Sequence, residues 1–449
     1  MENSTALRRV LTLPHLVLFG LAYMAPMIVF GIYGLVAQTT EGMSTSAYIV
    51  ALIAMLFTAL SYGQMVKAFP VSGSAYTYTR KALNGHLGFM VGWGTLLDYL
   101  FIPMAIWLIG SAYLNAAFPA IPSWAWVLAF IVVTTFLNIL GIKYSMNVNM
   151  LLMGFQLLVV ALFIILAVRG VQQGQGLGTL FSLQPLMNHY GHAGSAILSG
   201  AAIGCYSFLG FDAITTMTEE SQNPTKTIPR AIILVTCIGG GIFILASYVT
   251  TLVHPDLHFK DVDSAAFAIA KQIGGALFSA IFLAGLIVAQ FCSGISAQAS
   301  ASRLLYAMGR DGVLPESIFG QLHPKYQTPV ANILLVAVIG LLALTMNVST
   351  STSFINFGAF IAFTLVNVSV IFHYFIHGKR RGFASVVYYL LFPASGAICD
   401  FWLLTSLDSH AIELGVVWAL IGVGYLAFIT RGFQNSPPEL DETTIEAHA

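Results

Sequence analysis

The sequence predicts an all-α polytopic membrane protein with about 12 transmembrane helices, and three observations carry that reading. Hydrophobic residues make up 57% of the 449 and charged residues only 8%, against roughly 25% charged in soluble domains. Mean hydropathy is +0.84. Apolar runs long enough to span a bilayer, about 20 residues, recur along nearly the whole chain with only short polar ends. Formal net charge is zero, so bulk charge implies no nucleic-acid partner. The four cysteines, Cys205, Cys237, Cys292 and Cys399, lie in apolar runs without metal-ligand spacing and read as packing residues. No cofactor is expected. The start, MENSTALRRV, lacks a cleavable signal, so the first apolar run is kept as a span.

The spans read as 15–37, 45–66, 88–112, 121–141, 147–169, 195–217, 231–253, 274–299, 328–346, 352–375, 385–406 and 411–430. An even number places both termini on one side. Arg8, Arg9, Lys67, Arg80, Lys81, Lys143, Lys226, Arg230, Arg303, Arg310, Lys325, Lys379, Arg380, Arg381 and Arg431 fall on that side. Only Arg169, Lys260 and Lys271 fall opposite. By the positive-inside rule both termini are cytoplasmic. Residues 1–14 and 431–449 are then tails around one transmembrane domain, 15–430, and the second tail has the composition of a disordered end.

The stretch 199–220, SGAAIGCYSFLGFDAITTMTEE, organises the functional reading. It is apolar enough for a membrane yet holds Gly204, Gly210 and Asp212 within nine positions. An aspartate at bilayer depth costs about 2.5–3.5 kcal/mol on insertion scales, so it usually faces a cavity or a partner. Irregular backbone at that depth is tolerated where it lines a cavity or packs in protein. Span one, HLVLFGLAYMAPMIVFGIYGLVA, contains Gly20, Pro26 and Gly31. Proline removes a helical hydrogen bond and clashes with the preceding turn, so this helix is expected to break near residues 24–27. Spans one and six each begin a set of five. Two interrupted helices at matching places in two halves are the signature of inverted repeats around a midplane site, as in secondary transporters. Repeat one covers about 15–169 and repeat two about 195–375, with extra helices over 385–430.

Between spans two and three, AFPVSGSAYTYTRKALNGH gives a turn and an amphipathic segment on the cytoplasmic surface. Span three carries a second acid, Asp98, followed by Tyr99, with Pro103 one turn on as a possible kink. A third acid, Asp400, lies in span eleven and reads as structural or lipid-edge. No Lys or Arg falls in the middle of any span. Asp98 and Asp212 must therefore be protonated, be held by hydroxyls and amides, or meet a mobile cation. Desolvation favours the protonated form of a carboxyl and an incoming cation favours the charged one. That coupling suits a carrier of protons or of cationic amines, not of bare anions. Glu219 and Glu220 stand at the cytoplasmic end of span six, either as solvated interface charge or near the pathway. No His, Cys or Ser forms a recognisable catalytic cluster, which disfavours an enzyme.

Several motifs together resemble the amino acid–polyamine–organocation superfamily: FPVSGSAYTYTRKAL, GFMVGWGTLLDYL, YSFLGFDAITTMTEESQNPTKTIPRAI and ASRLLYAMGRDGVLPE. Within it the chain is most similar to bacterial putrescine importers, through GLAY-x-x-PM, LLDYLF-x-PM and INFGAFIAFT. The resemblance implies a LeuT-type five-plus-five inverted repeat with two extra helices, in a bacterial inner membrane. Substrate would sit between broken helices one and six, touching Tyr23, Ala25, Pro26, Met27, Asp98, Tyr99, Tyr206 and Gly210. By the same resemblance, Tyr206 matches the aromatic that closes over substrate and Asp212 an acid linked to pH sensing. Asp98 matches the acid of a cationic amino acid carrier motif. Asp98 and Asp212 would couple a proton.

Two departures matter. The chain has VFGIYG where the importers have VFDTFG, so Gly31 stands in place of an acid and a monoamine or amino acid stays open as substrate. Gln156 stands where many members place a lysine, so lysine-based coupling is not expected. The first helix also has Ala25 and Pro26 in place of the Gly-rich run whose amides hold a carboxylate. The expected activity is proton-coupled import of an amine or polyamine. The alternative is an amino acid permease or an amino acid/amine exchanger.

Overall fold

A computed structural model describes residues 9, 11–71, 74–141, 146–187, 193–218, 220–310, 312, 314–326 and 328–437. Glu219 and Asp311, with Arg8, Lys143 and most of the C-terminal tail, lie outside the described residues. The regular secondary structure of the described residues is all helix, with one isolated backbone bridge between Leu11 and Ser221. Among the described residues, eleven helices are long and apolar enough to cross a membrane.

The ninth expected span, 328–346, is shorter than the sequence reading made it. It forms a helix over Val330–Gly340 and a tighter turn over Leu341–Leu344. At about 1.5 Å per α residue and 2.0 Å per 3₁₀ residue its length is roughly 25 Å, below the roughly 30 Å of a hydrocarbon core. Several other helices run past their apolar segments. Span three occupies Gly85–Ala117, with Pro103 inside an uninterrupted helix. Span eight belongs to Ala265–Arg310, which Gly275 interrupts at φ 68°. The amphipathic segment before span three is the helix Ser74–Ala82.

Burial sorts the spans into an inner and an outer set. In the most apolar stretch of span six 83% of residues are buried, and 72% in span ten, against 22% and 17% in spans eleven and twelve. Spans one, two, three, six and ten thus form the interior, and the poorly buried ones leave their apolar sides exposed. Aromatic packing fills the interior: Phe30 lies 4.4 Å from Phe163, and the Tyr62 ring meets Phe211 and Phe363 edge-on at 5.8 and 6.0 Å. Buried polar groups join helices far apart in sequence, as apolar surroundings demand. Asn356 donates to the Ala202 carbonyl at 2.7 Å, and Gln298 links Asn138 to Thr135.

Asp400 belongs to this structural class and is fully buried, not at the lipid edge. Its Oδ2 accepts from Thr58 at 2.7 Å and Asn367 at 3.0 Å, and Asn367 also donates to Thr58. One carboxyl therefore ties spans two, ten and eleven together.

Candidate functional site between the two interrupted helices

The first span is interrupted beside its proline. Helix Leu13–Met24 ends at Ala25, whose φ of 50° and ψ of 96° leave helical space, and helix resumes at Ile28–Gly31. Pro26 explains the break twice over: its ring excludes a helical preceding residue, and it has no N–H to continue the ladder. A non-glycine residue at positive φ costs about 1–3 kcal/mol, strain that packing must hold in place and that clusters at functional sites. Ala25 and Met27 are buried.

Span six is interrupted over a longer stretch. An α-helix over Ala193–Gly204 tightens into 3₁₀ turns at Cys205–Phe208 and Asp212–Met217. Between them Leu209 is extended at ψ 131° and Gly210 takes φ 112°. Gly210 is required sterically as well, because a Cβ there would overlap the Tyr23 ring. The two breaks thus touch: the last turn before the first gap seats its tyrosine on the glycine of the second.

Around this contact the structure gathers the acids and tyrosines. Tyr23 lies within electrostatic reach of Asp98, Asp212 and Tyr206, and its hydroxyl meets Ser300 of span eight. Tyr99 is within reach of Tyr23, Asp212 and Asp98. Asp98, Tyr99, Tyr206 and Asp212 are each buried, and Tyr23 is half-buried. Residues 25–27 line the first gap. Glu220 is not part of the cluster: it lies at the end of span six, where its carbonyl accepts from the Leu11 N–H at 3.0 Å.

The two acids differ in what satisfies them. Backbone N–H groups at Asp212, Gly210 and Ala213 lie against the Asp212 carboxylate and favour its charge. Asp98 has no such partner; its Oδ1 is buried and meets no donor. Its neighbours are another acid and phenol rings, with no Lys or Arg in the span. A buried polar group is normally hydrogen-bonded, and an exception marks a function or a missing ligand. Of the two acids, Asp98 is the one that lacks a partner.

Tyr62 was not among the sequence candidates. It is fully buried in span two, its hydroxyl has no partner, and it lies within reach of Asp212 and Asp98. Nothing local marks it, since its helix is unbroken and a lone tyrosine in a span reads as packing.

The amide donors of the two gaps are few. The Ala25 N–H bonds to Leu21 and the Ile28 N–H to Ala25. Pro26 has none, the Gly210 amide lies against Asp212, and the Ala213 N–H bonds to the Gly210 carbonyl at 3.2 Å. The first gap offers at most the Met27 N–H. An anionic carboxylate would find little here, whereas a cation finds Asp98.

Comparison with known proteins settles the lineage. The profile of the amino acid permease family matches residues 15–407. The chain belongs to that family. It is 43% identical over 438 residues to the low-affinity putrescine importer PlaP of Escherichia coli K12, covering 97% of each chain. It is 30% identical to the branched-chain amino acid permease BcaP of Bacillus subtilis, over 94% of this chain and 93% of that one. It is also 30% identical to human cationic amino acid transporter 4, over 83% of this chain and 61% of that protein. These relatives are transporters, so the permease is a multi-pass membrane transporter rather than an enzyme.

Proposed function

We propose that this permease is a secondary active importer of a small amine or polyamine, with putrescine the best single candidate. The observation that carries the reading is the buried, unpartnered carboxyl of Asp98 beside two helix breaks, in a span without any Lys or Arg. An ammonium group supplies what that carboxyl lacks, and the rings of Tyr23, Tyr99 and Tyr206 offer faces on which a cation is favoured by about 0.5–2 kcal/mol. The 43% identity to a putrescine importer supports the same substrate class.

In this proposal the binding residues are Tyr23, Ala25, Pro26, Met27, Asp98, Tyr99, Tyr206 and Gly210. Asp98 and Asp212 couple the substrate to a proton. The two halves, about 15–169 and 195–375, form a LeuT-type inverted repeat that rocks about the site in alternating access, with 385–430 as added helices. The protein lies in a bacterial inner membrane with both termini cytoplasmic. Bound substrate charge and carboxyl protonation then exchange at one place, so a proton gradient drives uptake.

A second reading, transport or exchange of a cationic or neutral amino acid, is favoured by one observation. Gly31 carries no acid for a second ammonium, and the space beside it is taken by Ile109, Ile28 and the Gln290 amide. The scarcity of free amides in the first gap argues the other way. Competition against labelled putrescine uptake in proteoliposomes, by a panel of diamines, monoamines and amino acids under an imposed proton gradient, tests both. Inhibition by amines without amino acids supports the first reading; the reverse pattern supports the second. Accumulation driven by sodium but indifferent to protons would overturn the coupling.

A further inference from the structure

At the cytoplasmic edge of the membrane, spans two, ten and eleven frame a cleft of about 480 Å³. It is lined by Gln64, Lys67, Tyr374, Arg380, Tyr388 and Tyr389. This is within the range of small-ligand pockets.

Its construction is unusual for a loop between two spans. Span ten ends in a π-helical turn at Ile371–His377, and span eleven carries another at Val387–Leu391. Such widened turns are rare and are found mostly at functional sites. Here they bring Tyr374 and Tyr389 into a parallel stack at 4.4 Å and 12°. The connecting chain turns back through Lys379 at φ 49°, and the Arg380 N–H bonds to the Tyr374 carbonyl at 3.2 Å. That fixes the Arg380 guanidinium over both rings, at 5.1 Å from Tyr374 and 5.7 Å from Tyr389, with Nη1 donating to the Tyr389 hydroxyl at 3.4 Å. The Tyr374 hydroxyl donates to the Gln64 carbonyl at 3.0 Å, so the ring pair is anchored to span two one turn before Lys67.

Two cations therefore converge on one cleft, and neither Lys67 nor Arg380 pairs with an acid among the described residues. Stacking pre-organises the guanidinium, which presents planar donors matched to phosphate oxygens, and Lys67 adds a point charge. The surface around the cleft is lipid-facing: Phe383, Tyr388 and Leu391 are exposed large apolar residues on span eleven. Basic pockets between spans on the cytoplasmic side suit anionic headgroups, whose acyl chains then lie on the apolar flank.

We propose that this cleft binds a phosphate group at the cytoplasmic membrane surface, held between Lys67 and the stacked Arg380. The position of the cleft favours a phospholipid headgroup over free phosphate as its source. Binding would clamp spans two, ten and eleven at one end, the same three spans that Asp400 joins in the interior.

The test uses the full-length protein purified in detergent. Native mass spectrometry after exchange into mixed phosphatidylglycerol and phosphatidylcholine micelles reads retained lipid, and thermal melting reads stabilisation by phosphatidylglycerol or by inorganic phosphate. The wild type is expected to retain phosphatidylglycerol over phosphatidylcholine, and Lys67→Gln with Arg380→Gln to reduce that retention about tenfold. Arg380→Gln alone carries the test if the double variant does not fold. Stabilisation by millimolar inorganic phosphate, absent in the variant and unmatched by phosphatidylglycerol, keeps the phosphate site and assigns it a soluble ligand. Equal retention and equal melting shifts in wild type and variant with both probes would overturn the proposal.

Discussion

Replacing Asp98 by asparagine removes the charge at the centre of the site and almost nothing else. The carboxyl is 6% exposed and its Oδ1 makes no hydrogen bond, so the fold does not lean on it. Isosteric Asn should change stability by no more than about 1 kcal/mol, the order of a single net hydrogen bond. Binding is another matter. An ammonium about 4 Å from a carboxylate gains roughly 4 kcal/mol at an effective dielectric constant near 20, and truncating one partner of a buried charge pair typically costs about 2–5 kcal/mol. Loss of 2–4 kcal/mol weakens Kd by about 30-fold to 1,000-fold. Scintillation-proximity binding of labelled putrescine, with a melting curve on the same sample, reads both quantities. Asp212→Asn is the internal control: its side-chain oxygen still lies against the backbone amides at Asp212, Gly210 and Ala213, so Kd should move less than threefold while the pH dependence of uptake flattens. A Kd for Asp98→Asn within threefold of wild type, with uptake retained, would remove the acid from the binding site.

Three further outcomes follow from particular contacts. Tyr206→Phe should bind and transport near normally, while Tyr206→Leu loses the ring face and about 0.5–2 kcal/mol of cation affinity; equal affinity in the two variants would take the ring out of the site. Gly210→Ala should destabilise by about 2–4 kcal/mol, from the positive φ and the overlap with the Tyr23 ring. A second change, Tyr23→Ala, should recover part of that loss on melting, and strict additivity would mean the two do not touch. Asp263, in the loop before span eight, has its carboxyl pushed up to about 6 by burial and by the neighbouring Asp261. Its ordinary value is near 3.9. The folded chain therefore holds this proton more tightly than the unfolded chain, and stability falls as pH rises from about 4 to 6 and stays lower above. Asp263→Asn should leave melting unchanged at pH 4 and raise stability at pH 7–8 by about 1–3 kcal/mol, less where solvent screens the group. A difference that does not vary with pH would refute it.

Much of the permease is legible in its sequence because the bilayer imposes local rules. Transfer of each segment from water to hydrocarbon depends on that segment's own residues, so the spans follow from composition and length. Pro26 breaks span one through its own ring, and Gly210 supplies the positive φ of span six. Asp98 and Asp212 stand out because a carboxyl at that depth is costly wherever its helix points. The tertiary structure decided what each of those groups meets. Asp98 and Asp212 are equivalent as letters, yet backbone amides lie against one and leave the other bare. Asp400 is claimed by Thr58 and Asn367, residues 342 and 33 positions away. Tyr62 faces the site without any local mark, and Tyr23 rests on Gly210 across nearly half the chain. Hydropathy fixes how deep a residue lies, but the rotation of each helix, and so the partner each side chain finds, is set by packing against helices remote in sequence.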